Sequence, residues 1–242
     1  MNINATLRGW VFYFLLAVSI IVLAVCVLIT APFTGATWRY EALCRPWAQI
    51  CLRMLRAVCG VKVSVEGREN LPKPGTPIVV LSKHQSAYDP FWLAAEMPAP
   101  LCFLYKRSIN WIPFFGWVAM AMKQIPVDRS HGRSSFLSFM EHGPDRLRDG
   151  WWICLFPEGT RTLPGEAVHY KSGGARFASR TGTDILPVCI AAAHCWPKNS
   201  IAKYPGTVRV SIGPVISAKG KDYKVLNTEV QSWIENELKR IS

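Results

Sequence analysis

The chain has 242 residues, enough for one domain with a real core, or for one domain and a membrane anchor. Half of its residues are hydrophobic and 18% are charged, against a usual charged share of about 25%, which excludes a disordered or low-complexity protein. With 28 Lys and Arg against 16 Asp and Glu the net charge is +12, and a chain both apolar and basic points first to an anionic lipid surface and second to nucleic acid.

Residues 10–29 form an uncharged run of 20. As a helix this run is about 30 Å long, the thickness of the hydrocarbon core of a bilayer. A signal peptide has a shorter apolar region and a small-residue cleavage site, and Thr30-Ala31-Pro32 is a poor one. The reading is a retained membrane segment. Arg8 precedes it, and Arg39, Arg45, Arg53, Arg56 and Lys62 follow, so the rest of the chain is expected on the cytoplasmic face. Pro46 can open a second helix at its first turn. Trp47, Ile50, Cys51, Met54, Leu55 and Val58 recur there at helical spacing, with Gln49, Arg53 and Arg56 on the other side. Such a helix suits either the headgroup layer or the surface of a core. Residues 1–60 are therefore expected to form a membrane-binding helical segment and residues 61–242 the main domain.

Residues 61–65 alternate as a short strand, and residues 76–82 read as a buried one. Further strands are expected at 101–105, 124–127, 151–156 and 185–190, with an outer strand at 207–212. Helices are expected at 90–97, at 110–122 with interruptions at Pro113 and Gly116, at 134–148 with a kink or break at Gly143-Pro144, and at 226–241. The aromatic stretch 111–118 reads as core before it reads as an acyl-chain tunnel or a membrane-facing lip. Strands alternating with helices mean an α/β domain: a largely parallel or mixed sheet flanked by helices, behind the N-terminal membrane-associated segment. The eight cysteines contain no C-x-x-C pair and read as buried free thiols of a reducing compartment. Cys189, His194 and Cys195 match no zinc spacing, so no metal is expected.

Two segments carry chemistry. His84 follows the strongest strand, and ligand sites of α/β sheets gather at the carboxyl ends of strands. Asp89, five residues on, can reach back to the imidazole, fixing one ring nitrogen and leaving the other free as a general base. The plainer reading makes Asp89 the N-cap and Pro90 the first residue of a helix. The second segment, Phe156-Pro157-Glu158-Gly159-Thr160-Arg161, also follows a buried strand, and shares an edge with His84 if the two strands are parallel. Its Pro and Gly make a tight turn with exposed N–H groups, and Arg161 offers a planar fork for phosphate or carboxylate.

Together these segments resemble the glycerolipid acyltransferase family, which includes the lysophosphatidic acid acyltransferases. His84 and Asp89 match its first motif, His-x4-Asp, and residues 156–161 match its third residue for residue. Lys106, Ile112-Pro113-Phe114-Phe115-Gly116 and Val127-Asp128-Arg129 are similar to its second region, and Ile185-Leu186-Pro187-Val188 to its fourth motif. The likeness covers roughly residues 60 to 215 in the family's order. The sequence departs where many members carry Asn before the motif histidine, here Lys83, and after Lys106, where Arg107-Ser108-Ile109 replaces an acidic residue and Leu.

The resemblance implies transfer of a fatty acyl group from an acyl thioester to the free hydroxyl of 1-acylglycerol 3-phosphate, giving phosphatidic acid. His84 and Asp89 would be catalytic. Lys106, Arg129, Glu158, Gly159, Thr160 and Arg161 would bind substrate. No cofactor is implied beyond the donor itself, acyl-CoA or acyl-carrier protein. The partners are then a phospholipid surface and a lysophospholipid acceptor, with no nucleic acid. Other acceptors, such as a lyso-ornithine lipid, another lysophospholipid or glycerol 3-phosphate, keep the same chemistry. A lipid esterase is a more distant reading, and the chain has no G-x-S-x-G nucleophile elbow. A non-enzymatic membrane-binding protein leaves the two motifs unexplained.

Overall fold

A computed structural model describes residues 3–128 and 132–242. Among these, seven strands form one sheet: β1 (Val61–Glu66), β2 (Ile78–Ser82), β3 (Leu101–Lys106), β4 (Ile125–Val127), β5 (Trp152–Leu155), β6 (Asp184–Ala191) and β7 (Gly206–Ile212). Their order is β1-β7-β6-β2-β5-β3-β4. Every neighbouring pair is parallel except β6 and β7. The Val-, Ile- and Leu-rich β2 lies in the middle, buried along its whole length, as a strand covered on both faces must be. Leu81 is level with Leu155 of β5, so the segments after β2 and β5 leave the sheet at the same edge.

The alternating strand read as an outer one is β7, which lies inside the sheet between β1 and β6. Alternation reports that one face of a strand is open, not that one of its edges is. Pro187, which cannot donate to a ladder, sits on β6 just before the β7 pairing begins at Val188.

Helices cover both faces: α4 (Tyr88–Glu96), α5 (Phe115–Ala121), α6 (Gly132–Arg148), α7 (Gly173–Thr181) and α8 (Tyr223–Ile241). α8 is entered through Asp222, whose carboxylate accepts from the Lys224 N–H at 2.8 Å. Of the kink or break expected at Gly143-Pro144, the break does not occur; α6 runs through Pro144. Packing overrides the lost hydrogen bond there, since α6 lies on β4, β5 and α7 and Phe139 stacks on Phe177 with ring centroids 4.1 Å apart.

The N-terminal segment is α1 (Ile3–Thr30), α2 (Ala36–Arg39), one π-type turn (Tyr40–Cys44) and α3 (Arg45–Cys59). Pro46 stands in the first turn of α3, as expected, and α2 and the π-type turn run directly into that helix. The widened turn lies just ahead of that proline, whose ring crowds the carbonyl four residues back. The apolar face of α3 packs on α1 and α4, while Arg53 and Arg56 face outward, so of the two readings of this helix the core-packed one describes its apolar side. Arg39 is buried rather than spread in a headgroup layer. Its guanidinium donates to the carbonyls of Ala31, Thr34 and Ala121, tying the end of α1 to α5.

α1 is long and apolar enough to cross a membrane, yet one side of it is docked on the domain along its whole length. Ala5, Gly9, Phe12, Leu16, Ala24 and Val27 are buried. Gly9 permits the closest approach: a Cβ there would lie 1.9 Å from the carbonyl oxygen of Ile201. The opposite side exposes Trp10, Phe14, Val18, Ile21, Val25 and Ile29.

The aromatic stretch 111–118 departs from the core reading. Trp111 is 86% exposed, and Ile112, Phe114 and Trp117 are also exposed. A short 3-10 turn, Arg107–Trp111, and the short α5 place them beside α1 instead of beneath the sheet.

Candidate active site

β2 ends in a turn that carries Lys83 to Ala87, and α4 then begins at Tyr88. The Nδ1 of His84 and the Oδ2 of Asp89 are 2.9 Å apart. The same carboxylate oxygen accepts the backbone N–H groups of Gln85 and Ser86, each at 2.9 Å. Asp89 is therefore not the helix cap: it lies inside the first turn of α4 and its carboxylate points back into the preceding turn. Burial pushes its carboxyl above the ordinary range, opposed by His84 and the two N–H groups. His84 is only partly buried, and its ring stacks on Phe156 with centroids 3.9 Å apart. An imidazole held at Nδ1 by a carboxylate presents Nε2 as a base.

The turn after β5 is fastened to the turn after β2. Thr162 donates its N–H to the His84 carbonyl at 2.8 Å, and the His84 N–H reaches Glu158 Oε1 at 3.2 Å. Glu158 is buried, which raises its carboxyl; the ammonium of Lys83, 3.3 Å away, is the strongest opposing influence. Lys83 is itself buried and also meets Glu235 of α8 at 2.7 Å, where the Tyr170 hydroxyl donates to the same oxygen at 2.7 Å. Gly159 has φ +72°, a conformation that favours glycine, and the end of the flexible Lys171 side chain lies where a Cβ would stand.

His84 opens onto a cavity of about 530 Å³ between the sheet and α6 and α7. Leu104, Val127, Phe136 and Phe139 make one part of its wall apolar, and Gly159, Lys171 and Arg176 make another part polar. The arrangement suits a molecule with one greasy and one anionic end.

The expected site residues divide accordingly. His84, Asp89, Glu158 and Gly159 come together at the carboxyl edge. Thr160 is exposed on the same turn, and Arg161 follows it, with one guanidinium nitrogen 3.4 Å from the Asn199 side-chain oxygen. Lys106 ends β3, two strands from β2 at the same edge, and is exposed; it does not line the cavity. Arg129 lies outside the described residues. Sequence reasoning missed Lys171 as a cavity residue, and missed Glu235 altogether. A lone Glu on a terminal helix carries no local signal of a partner 152 positions away.

An α/β sheet with a His–Asp pair and a buried Glu-Gly turn on one carboxyl edge defines a class, and the comparisons agree. The chain matches the acyltransferase family over residues 62–191, more than half its length, and belongs to that family. It is 34% identical over 245 aligned positions to the 1-acyl-sn-glycerol-3-phosphate acyltransferase of Pseudomonas aeruginosa, covering 100% of this chain and 94% of that one. It is 32% identical over 167 positions to the protein of the same name from Borreliella burgdorferi, covering 69% and 66%. Among solved structures it is similar to the 1-acyl-sn-glycerophosphate acyltransferase PlsC of Thermotoga maritima, with a TM-score of 0.79, 25% identity and coverage of 99% and 95%. The mixed seven-stranded architecture and the acyltransferase assignment expected from the sequence both stand. The apolar helix and the lipid-synthesising relatives mark the protein as membrane-associated.

Proposed function

We propose that this enzyme acylates the free hydroxyl of 1-acylglycerol 3-phosphate to give phosphatidic acid, with His84 as general base. The observation that carries the reading is the 2.9 Å contact between His84 Nδ1 and a buried Asp89, with His84 lining the cavity. Nε2 takes the hydroxyl proton as the oxygen attacks the thioester carbonyl. The tetrahedral intermediate collapses, the C–S bond breaks, and the departing thiolate takes the proton back from the imidazolium. Asp89 holds the tautomer and stabilises the imidazolium charge. The thioester carries the activation, so the step as written calls for no cofactor and no covalent enzyme intermediate. Lys171, on the cavity wall, supplies basic surroundings for the phosphate, with Lys106, Arg129, Gly159, Thr160 and Arg161 assigned to the same task by the family resemblance.

The division into a membrane-binding segment, residues 1–60, and an acyltransferase domain, residues 61–242, is part of this proposal. The docked side of α1 supports a helix lying in one leaflet rather than crossing it, because a crossing helix would carry the sheet domain into the bilayer with it. Its exposed apolar side, Phe33 and the aromatic lip at Trp111 and Trp117 then enter the acyl region together. The basic outer face of α3 favours the anionic cytoplasmic leaflet.

The test is direct. Purified enzyme in lipid is offered 1-acylglycerol 3-phosphate, a lyso-ornithine lipid, another lysophospholipid and glycerol 3-phosphate, each with acyl-CoA and with acyl-carrier protein, and products are identified by mass. Phosphatidic acid as the dominant product is expected. A different dominant acceptor replaces the substrate while keeping the chemistry, and release of free fatty acid from a phospholipid with no thioester present would sink the transfer reading.

A further inference from the structure

Lys83 is 1% exposed, yet lysine is among the residues least often buried. Its ammonium lies between two carboxylates: Glu158 Oε1 at 3.3 Å and Glu235 Oε1 at 2.7 Å. The ring of Tyr170 stands 5.8 Å from it. It does not line the cavity, so it cannot touch substrate there. Its effect passes through Glu158. That carboxylate uses Oε1 for Lys83 and for the His84 N–H, while its Oε2 meets no donor among the described residues. Without Lys83, a buried carboxylate would be left with backbone N–H groups alone, and breaking such a pair from one side is the costly direction.

We propose that Lys83 is a positioning residue for acyl transfer: clamped by Glu235 of α8, it fixes Glu158 against the backbone of His84, the residue that carries the base. The inference rests on the reading of His84 as that base. It gives the C-terminal helix a role in the site, since Glu235 supplies the second anchor 152 positions from Lys83. The titratable groups around the Lys83–Glu158 pair are His84 after β2, Tyr170 ahead of α7, Cys189 on β6 beside Lys83 and Glu235 on α8, with Lys171 against the neighbouring Gly159. Burial raises the Glu158 carboxyl, and of these groups Lys83 is the one that opposes that rise most. Removing it lets burial raise the Glu158 carboxyl further, so protonation reaches the site at a higher pH.

The experiment compares wild type, Lys83→Met, Glu158→Gln, Glu235→Gln and the double variant Lys83→Met/Glu158→Gln, in mixed micelles with 1-acylglycerol 3-phosphate and acyl-CoA. Lys83→Met is expected to lower kcat at least about tenfold, to change the acceptor KM less than about threefold, and to move the acid limb of the pH profile up by about one unit. Glu158→Gln added to Lys83→Met keeps an oxygen for the His84 N–H and removes the uncompensated charge. The double variant should therefore recover at least about threefold in kcat over Lys83→Met and lose the shift of the acid limb. Damage to a core would do neither, so a double variant no better than Lys83→Met overturns the proposal, as does wild-type kinetics in Lys83→Met. If Lys83→Met does not fold, Glu235→Gln on the part-exposed side carries the test: about a threefold loss of kcat with a raised acid limb supports the clamp, and wild-type kinetics overturns it. A wild-type enzyme that acylates none of the offered lysolipids overturns the reading beneath it, which the Lys83 variants alone do not touch.

Discussion

The hydroxyl of Ser86 donates to the carbonyl of Trp196 over 2.7 Å, and both residues are buried. Ser86 lies inside the His-x4-Asp turn, and its N–H also feeds Asp89. Trp196 belongs to the loop on which α1 rests. Its ring meets Phe12 edge-on at 5.2 Å, and Lys203 a few residues on is 4.3 Å from the Tyr13 ring. The apolar helix and the His-x4-Asp turn are thus separated by one residue, so docking of α1 is linked by direct contacts to the turn proposed to carry the base.

Gly9→Val tests that relationship. The added Cβ would stand 1.9 Å from a backbone oxygen, which cannot move aside cheaply. The expected outcome is a destabilisation of about 1–3 kcal/mol, as for overpacking elsewhere, together with lower turnover on a short-chain acceptor below its micelle concentration. Thermal melting in detergent and that assay check it. Wild-type turnover at an unchanged melting temperature would show that α1 is only an anchor.

The gathering of His84, Asp89, Glu158 and Gly159 at one sheet edge was legible in the sequence because its signals are local. Ile78-Val79-Val80-Leu81 is a run that only a central strand buries, and His84 and Asp89 lie within one turn of its end. The same holds for Phe156 to Arg161 after β5. What escaped was non-local or masked by uniform apolarity. α1 is apolar all round, so the pattern gave no hint that Ala5, Gly9 and Phe12 face protein while Trp10 and Phe14 do not. The Lys83–Glu235 pair joins two segments with no common motif. Pro144 is a helix breaker by its own chemistry, and the packing of Phe139 on Phe177 that outweighs it is tertiary.

Lys203 gives a pH dependence with a definite sign. It is buried, donates to the carbonyls of Ser200 and Ile201 at 2.9 and 2.8 Å, and burial lowers its pKa from 10.5 to about 8. Between those values the unfolded chain binds more protons than the folded one, so this site's contribution to stability rises with pH. Wild type should therefore gain on Lys203→Met as pH goes from about 7.5 to 10. A gap in melting temperature that stays constant over that range would show that Lys203 does not titrate there.

The phosphate contacts separate by substrate. Arg161→Ala should lower kcat/KM for 1-acylglycerol 3-phosphate by roughly 10- to 100-fold, about 1.5–3 kcal/mol for a lost charge-assisted contact. Lys171→Ala should act in the same direction, since its side chain lies against Gly159 at the cavity wall. Both losses should shrink on a phosphate-free lysolipid. Equal losses on the two acceptors would assign these residues to the fold instead.

The aromatic lip is tested on vesicles. Trp111→Ser with Trp117→Ser removes two exposed indoles beside α1, each suited to the headgroup boundary. Sedimentation with vesicles should show weaker binding, with the melting temperature in detergent unchanged because neither ring is buried. Unaltered partition would place the lip away from the bilayer.

The base itself is tested by two substitutions with different expectations for stability. His84→Ala should reduce turnover at least about 10²-fold while the protein stays folded and membrane-bound. Asp89→Asn should reduce turnover as well, because an amide holds the imidazolium less well than a carboxylate. It should not weaken the fold. Asp89 caps no helix, an Asn oxygen can still accept from Gln85 and Ser86, and the carboxylate it replaces is buried with Oδ1 unpartnered among the described residues. Burial raises the Asp89 carboxyl, so keeping it charged near neutral pH costs stability that the neutral amide does not. The melting temperature of Asp89→Asn at pH 7 should stay close to that of wild type, since relief of a buried charge is offset by an amide N–H2 group placed where Oδ1 has no partner among the described residues. Incubation with donor alone should leave no acyl group on the protein, since the acceptor hydroxyl attacks the thioester directly. A stable acyl adduct on any Ser or Cys, or near-normal transfer by folded His84→Ala, would falsify the mechanism.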